Sequence, residues 1–351
     1  MSTEFPESLS CPCPITNHNT VQMAHGAGGR LSAELTQKFF LPRFQNKTLN
    51  DLEDQAILPP QQGRLAFSTD SYVVDPIFFP GGDIGDLAIN GTVNDVAMSG
   101  AKPLYISVGF ILEEGLPLES LHRVLLSMEN AAKNAGVTIV TGDTKVVEKG
   151  HADKLFINTS GIGVIPEGIN ISCKKLKPGD KILLSGTLAD HGMAILSTRK
   201  GLSFQSHLKS DTAPLNGLVE AMLKITPEIH ALRDPTRGGL ATTLNELAKS
   251  SNVGIKLMEE TLPVRPDVQG ACEVLGIDPL YVANEGKCVV VVPEAHAAAV
   301  LEAMKAHPVG KDACLIGEVI EKNSGMVVMK TSLGATRIVD MPLGEQLPRI
   351  C

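Results

Sequence analysis

The sequence predicts a two-domain protein of the α/β or α+β class, each domain a sheet with helices packed on one face. Three observations lead there. The chain has 351 residues, a length that favours about two domains, each able to bury its own core. From residue 65 to 165, and again from 181 onward, runs with apolar residues at every second position alternate with runs that repeat every three to four. Between the two halves a Lys-rich connector, "SCKKLKPGD" (172–180), breaks the pattern with good turn chemistry in Lys-Pro-Gly-Asp.

Residues 1–20, rich in Pro, Ser, Asn and Thr, read as a flexible arm. The first domain is expected over 21–168. "HGAGGR" (25–30) precedes a helix with Leu31, Leu35 and Phe39 on one face. "LAFSTDSYVV" (65–74) reads as a strand and "GDIGDLAINGTVNDVAMSG" (82–100) as a helix of small residues. "PLYISVGFIL" (103–112) is a strand, and 117–136 is a helix with Leu121, Val124, Leu125, Met128 and Ala132 on one face and Gly136 as its C-terminal cap. Strands follow at 137–147 and 154–165. The second domain, 169–341, opens with a strand at 181–188 and carries helices at 215–225, 237–251 and 294–308, strands at 253–260 and 287–294, and a hairpin over 325–342. Residues 342–351 form a mobile tail that ends on Cys351, with Pro342 and Pro348 stiffening it.

Composition excludes several function classes. A formal charge of −8, no block of Lys or Arg and no Trp leave no basic face for a nucleic-acid backbone. No apolar run is long enough to span a membrane, and no secretory signal is read at the N-terminus, so a cytoplasmic protein is expected. The seven cysteines are scattered without a CxxC pair, which argues against a disulfide framework or a four-ligand zinc site. Cys11 and Cys13, in "CPCP", would need further ligands to hold a metal, while Cys173, Cys272, Cys288 and Cys314 fall in or beside core elements.

Neither common nucleotide fingerprint is present: no GxxxxGK[ST] and no GxGxxG after a strand. Glycine and acid are distributed unusually instead. Gly26, Gly28 and Gly29 expose backbone N–H groups ahead of a helix, where an anion could sit, although such a loop can be a turn and nothing more. Asp54, Asp70, Asp95 and Asp143 each lie near a strand end or on the small-residue helix. Singly each could be a cap; converging, they would hold Mg2+ on a nucleotide, because that ion prefers carboxylate oxygens and bridges phosphates. Arg233 and Arg237 in "RDPTRGG" could contact phosphate or the tail, or be paired surface arginines. His191, beside a glycine at a helix start, is read as structural.

Several strings, "FSTDSYVVDPIFFPGGDIGDLAINGTVNDVAMSG", "GFILEEGLP", "IVTGDTKVV", "DKLFINTSGIG", "RDPTRGG", "NEGK" and the closing "PRIC", resemble the HypE family of hydrogenase maturation proteins, from about residue 21 to the end. The family is similar in fold to aminoimidazole ribonucleotide synthetase, selenophosphate synthetase and thiamine-monophosphate kinase. The resemblance implies a two-domain PurM-like fold whose N-terminal domain pairs with a second copy to form a β-barrel, with ATP and Mg2+ as cofactors. It implies that Cys351 receives a carbamoyl group from the carbamoyltransferase HypF. ATP then drives dehydration of that S-carboxamide to an S-thiocyanate, whose cyanide passes through a HypC–HypD complex to the iron of [NiFe] hydrogenase. In that reading Asp70, Asp95 and Asp143 hold the metal, and Lys145 stabilises phosphate charge. Glu285 accepts a proton, and Gly26, Gly28, Gly29, Asp54, Asn94, Gly142, Arg233 and Arg237 contact the nucleotide. A tail of ten residues spans at most roughly 33 Å, which lets it serve both an internal site and an external partner. Two rival readings stay open: a sibling ATP-dependent synthetase or kinase, which needs no terminal thiol, and a non-catalytic thiol carrier, which has no use for the acids.

Overall fold

The computed structural model describes residues 13, 14, 16–199, 208–344 and 349–351. Most of the expected N-terminal arm, Cys11 included, and Pro348 lie outside the described residues.

The first sheet is built from β1 (Arg64–Tyr72), β2 (Lys102–Glu113), β3 (Thr138–Val147) and β4 (Leu155–Ile165), in the order β1-β4-β2-β3. β4 runs antiparallel to both neighbours, and β2 and β3 are parallel. Helices α1 (Ile84–Ala97) and α2 (Leu118–Ala135) cover one face. Asp83 caps α1 by accepting the N–H groups of Gly85 and Asp86. The small residues of α1 let it lie close on the sheet: a Cβ on Gly91 would come 2.3 Å from the Tyr72 hydroxyl. Along α2 the expected stripe is buried, and Gly136 ends the helix in the left-handed conformation, φ 69°.

The other face of this sheet is uncovered in the single chain. Alternation along β1 turns Ser68, Asp70 and Tyr72 toward the helices and leaves Leu65 and Phe67 outside, 60% and 69% exposed. Ile111 of β2 is also exposed. The sheet is open, with β1 and β3 as its edges, and among the described residues it does not close into a barrel.

The second sheet has seven strands: β5 (Lys181–Leu184), β6 (Ala231–Arg233), β7 (Gly254–Met258), β8 (Val289–Val292), β9 (Cys314–Ile320), β10 (Val327–Lys330) and β11 (Thr336–Ile338). Their order is β11-β10-β7-β9-β5-β8-β6, antiparallel except for β10 beside β7. Val289–Val292 are fully buried, as an uninterrupted valine run requires. Helices α5 (Gly239–Ser251) and α7 (Glu294–Ala306) pack on this sheet, while α4 (Asn216–Leu223) lies against α7 and α1, and α3 (Asp190–Arg199) against α6 (Pro266–Leu275).

A strap, residues 208–215, crosses from the second domain onto α1. Ser210 donates its N–H to Pro80, Asn90 donates to Thr212, and Asn94 accepts the N–H of Leu215 while donating to Ala213. Asn94 also donates to the Glu285 carbonyl at 3.2 Å. One apolar cluster continues through Leu87 and Ile89 of the first domain into Met193 and Leu244 of the second, so the polar groups at the junction are set in a shared core.

Candidate functional site

Two polar regions flank the first sheet at opposite edges. At the β3 edge a cavity of about 320 Å³ is lined by Gly26, Gly28, Phe40, Gly142, Asp143 and Lys145. Gly26 lies flat on β3: a Cβ there would meet the Val146 nitrogen at 2.6 Å. Gly28 and Gly29 both have open space around them, and Gly28 is in the left-handed region, φ 77°. Lys145 Nζ sits 2.9 Å from Asp143, and that hydrogen bond pulls the Asp143 carboxyl below its ordinary range. Asp54 is exposed in the loop beyond, and its neighbours Glu53 and Gln55 help line the cavity.

At the β1 edge acids gather between the domains. Asp70 comes from β1, Asp95 from α1, Asp234 from the loop after β6, and Glu285 from the segment before β8. Ser68 donates to Asp95 at 2.7 Å. Burial and then the Asp70 charge push Asp95 up, although the Ser68 bond, Arg233 and Arg237 pull it down. Burial and Asp95 push Asp234 up to about 7. Glu285, 4% exposed, is driven well above the carboxylate range by burial and by Asp211, Asp234, Asp70 and Asp95; its Oε1 has no hydrogen-bond partner among the described residues. Burial among other acids favours the neutral form of this carboxyl, and a cation entering the cluster would favour the carboxylate that the expected proton acceptor needs.

Other expected contacts are placed differently. Asn94, 1% exposed, has both ends of its amide engaged by protein groups, so it ties α1 to the strap and to Glu285 rather than presenting itself to a nucleotide. Arg233 pairs with Glu246 at 2.7 Å, and Arg237 is exposed while near enough to lower Asp95. Asp143 and Asp70 stand on opposite edge strands of one sheet, so the three expected metal ligands do not converge in a single chain. Among the described residues no three His, Cys, Asp or Glu side chains form a metal-holding group.

Sequence reasoning did not single out Asp211, Asp234 or Lys287, and it set His191 aside as structural. Lys287 Nζ lies 2.9 Å from Asp211, with side chains 10% and 5% exposed, and Asp211 also accepts the Glu285 N–H at 3.1 Å. Burial alone would raise Asp211; the Lys287 charge, with the hydrogen bonds from Lys287 and from the Glu285 N–H, reverses this and holds it below its usual range. The backbone passes so closely here that a Cβ on Gly286 would fall 1.8 Å from the Asp211 carbonyl oxygen.

The chain end lies at the same edge. Val73 donates its N–H to Cys351 at 3.1 Å and Asp75 donates to Arg349 at 3.4 Å, an antiparallel pairing just past β1. Arg349 reaches back to the Val73 carbonyl at 3.2 Å and pairs with Asp153, while Arg199 bridges the carbonyls of Asp75 and Arg349. Tyr72, one residue before Val73, is raised by burial and by the charges of Asp70, Glu285 and Asp95. The last three residues are thus paired with 73–75, directly after the strand that carries Asp70.

A pair of sheet-and-helix domains, with acids at their junction and a glycine loop on an edge strand, defines a protein of the AIR synthase related class. The family models agree: "AIR synthase related protein, N-terminal domain" matches residues 52–165 and "AIR synthase related protein, C-terminal domain" matches 177–330. The carbamoyl dehydratase HypE of Azotobacter vinelandii is 53% identical over 334 residues, covering 95% of this chain and 98% of that protein. A solved hydrogenase maturation protein HypE in complex with ATP is 52% identical with a TM-score of 0.91, covering 94% of this chain and 99% of that one. HypE in a HypE–HypF complex is 54% identical with a TM-score of 0.78, covering 90% and 100%. The chain belongs to the carbamoyl dehydratase HypE family of hydrogenase maturation proteins.

Proposed function

We propose that this chain spends ATP to dehydrate an S-carboxamide on its own Cys351 to an S-thiocyanate, the cyanide source for the iron of [NiFe] hydrogenase. The observation that carries the reading is the docked end of the chain, which brings the last residue to the β1 edge where Asp70, Asp95, Asp234 and Glu285 gather. A carrier thiol alone would have no use for these acids. The partner that loads the thiol is a HypF-type carbamoyltransferase, and the acceptor of the product is a HypC–HypD complex, all in the cytoplasm.

An amide oxygen leaves poorly. In the proposed reaction the carboxamide oxygen attacks the γ-phosphorus of ATP and ADP departs. The carbon–oxygen bond then breaks with phosphate as the leaving group, and two N–H protons are lost, giving the nitrile. Lys145 sits over phosphate charge. Glu285 takes an N–H proton once its own has been displaced, and Arg233 and Arg237 face phosphate from the second domain. The donor set fits Mg2+: the ion needs only one or two carboxylates beside nucleotide oxygens, and Asp70 and Asp95 carry mutual repulsion that a cation would relieve. When bound, with Asp143 completing the set, Mg2+ would neutralise charge on the phosphates.

The separation of Asp143 and Lys145 from Asp70 and Asp95 supports a homodimer. Two copies joined through the bare face that carries Leu65, Phe67 and Ile111 would form a barrel and set the β3 edge of one against the β1 edge of the other. Intact-protein mass spectrometry tests the reaction. The chain should gain one carbamoyl group from HypF and lose one water only with Mg-ATP, and Cys351→Ala should gain neither. A carbamoyl mass that ATP never changes would reduce the protein to a carrier.

A further inference from the structure

We propose that His191 is the positioning residue for the loaded thiol, holding the Ile350 carbonyl so that Cys351 enters the site in one orientation. This rests on the reading of Cys351 as the substrate carrier. It stands on the geometry of the last three residues. Arg349 and Cys351 turn their carbonyls to the N–H groups of Asp75 and Val73, so alternation turns the Ile350 carbonyl the other way. Ile350 is 4% exposed, and a buried carbonyl facing away from its paired strand needs another donor. His191 supplies it, with Nε2 2.6 Å from the Ile350 oxygen.

The tautomer follows from the two contacts of the ring and its burial. A carbonyl only accepts, so Nε2 carries the hydrogen. On the other side Nδ1 lies 2.8 Å from the Ser210 hydroxyl, which then donates to Nδ1 while accepting the Thr212 N–H at 3.2 Å. The ring is fully buried with Phe79 edge-on at 5.6 Å, and burial lowers its pKa, which keeps it neutral. Ser210 is on the strap, and the next residue, Asp211, holds the Glu285 N–H. One segment therefore carries both the hydroxyl that orients the histidine and the carboxylate that holds the Glu285 backbone.

Two substitutions separate this role from packing. A glutamine amide places a donor near the position of Nε2, whereas an asparagine amide reaches only the position of Nδ1. His191→Gln should keep the grip on Ile350, and His191→Asn should keep the contact with Ser210 and lose the tail. On chains already carrying the carbamoyl group, single-turnover loss of water with Mg-ATP should be within about threefold of wild type for His191→Gln and slower by about thirtyfold for His191→Asn, the size of one buried hydrogen bond. Asparagine performing as well as glutamine, or both matching wild type, overturns the proposal.

A second measurement needs no variant of His191. In wild-type chain with 15N-labelled histidine, one neutral ring protonated on Nε2 should change its signals when Ile350 and Cys351 are removed. A set of histidine rings indifferent to that deletion also overturns the proposal. If wild-type chain loads but never loses water, the dehydration reading fails, and the ring signals still decide whether His191 holds the tail.

Discussion

Asp211 and Lys287 offer the sharpest test of how the site is held. Both side chains are at least nine-tenths buried and 2.9 Å apart, in contact with the Glu285 backbone. Removing one partner of such a pair leaves a charge without compensation, which costs about 3 to 5 kcal/mol, whereas removing both together is often close to neutral. Asp211→Asn retains an acceptor for the Glu285 N–H, and Lys287→Met retains the stem that lies on Gly186. Each should lower unfolding free energy in urea by about 3 kcal/mol or more. The double variant should recover most of that, a coupling of several kcal/mol. Because Asp211 is held below its ordinary value, its contribution is present at neutral pH and fades only in acid, as the pH falls through its folded pKa. A second signature appears in the chemistry. After burial, the Asp211 charge is the largest influence raising Glu285, so Asp211→Asn should move the acid limb of the pH–rate profile for water loss to lower pH. Single losses that simply add, or an acid limb that does not move, would refute the account of a buried pair poised against Glu285.

Two further predictions concern other elements. Burial and Asp83 push Asp86 up to about 7. A raised acid binds more protons folded than unfolded, so its contribution to stability is lost as pH climbs from about 4 to about 7. Asp86→Asn should therefore gain about 2 to 3 kcal/mol on wild type between about pH 5 and about pH 8 in urea unfolding, and an unchanged difference would sink the linkage. For the composite site, Asp70→Asn and Lys145→Met chains should each be inactive, while a denatured and refolded mixture should recover about a quarter of wild-type turnover, since one site of each mixed dimer is intact. No recovery would place both residues in one subunit.

Much of the first domain was legible because local patterns carry it. Alternation along β1 assigns Asp70 to the helix-covered face, the glycines of α1 announce close packing, and Gly136 marks the end of α2. Asp70, Asp95 and Glu285 could be picked out one at a time because each stands in a recognisable string. How they combine was not legible. Asn94 meets the Glu285 carbonyl across 191 residues, His191 meets Ile350 across 159, and Lys287 meets Asp211 across 76, and separations of that size leave no period in the sequence. Asp143 shows the same limit from the other side: its motif resembles that of Asp70, but strand order sends the two to opposite edges of a sheet. His191 was set aside because a histidine at a helix start is usually structural. What sets it apart is a carbonyl from the far end of the chain, turned toward it by the pairing of the residues on either side. Residue types at this site can therefore be read from the sequence, while its geometry lies in contacts that only the folded chain makes, so a group can be ordinary in its local sequence and still meet the far end of the chain.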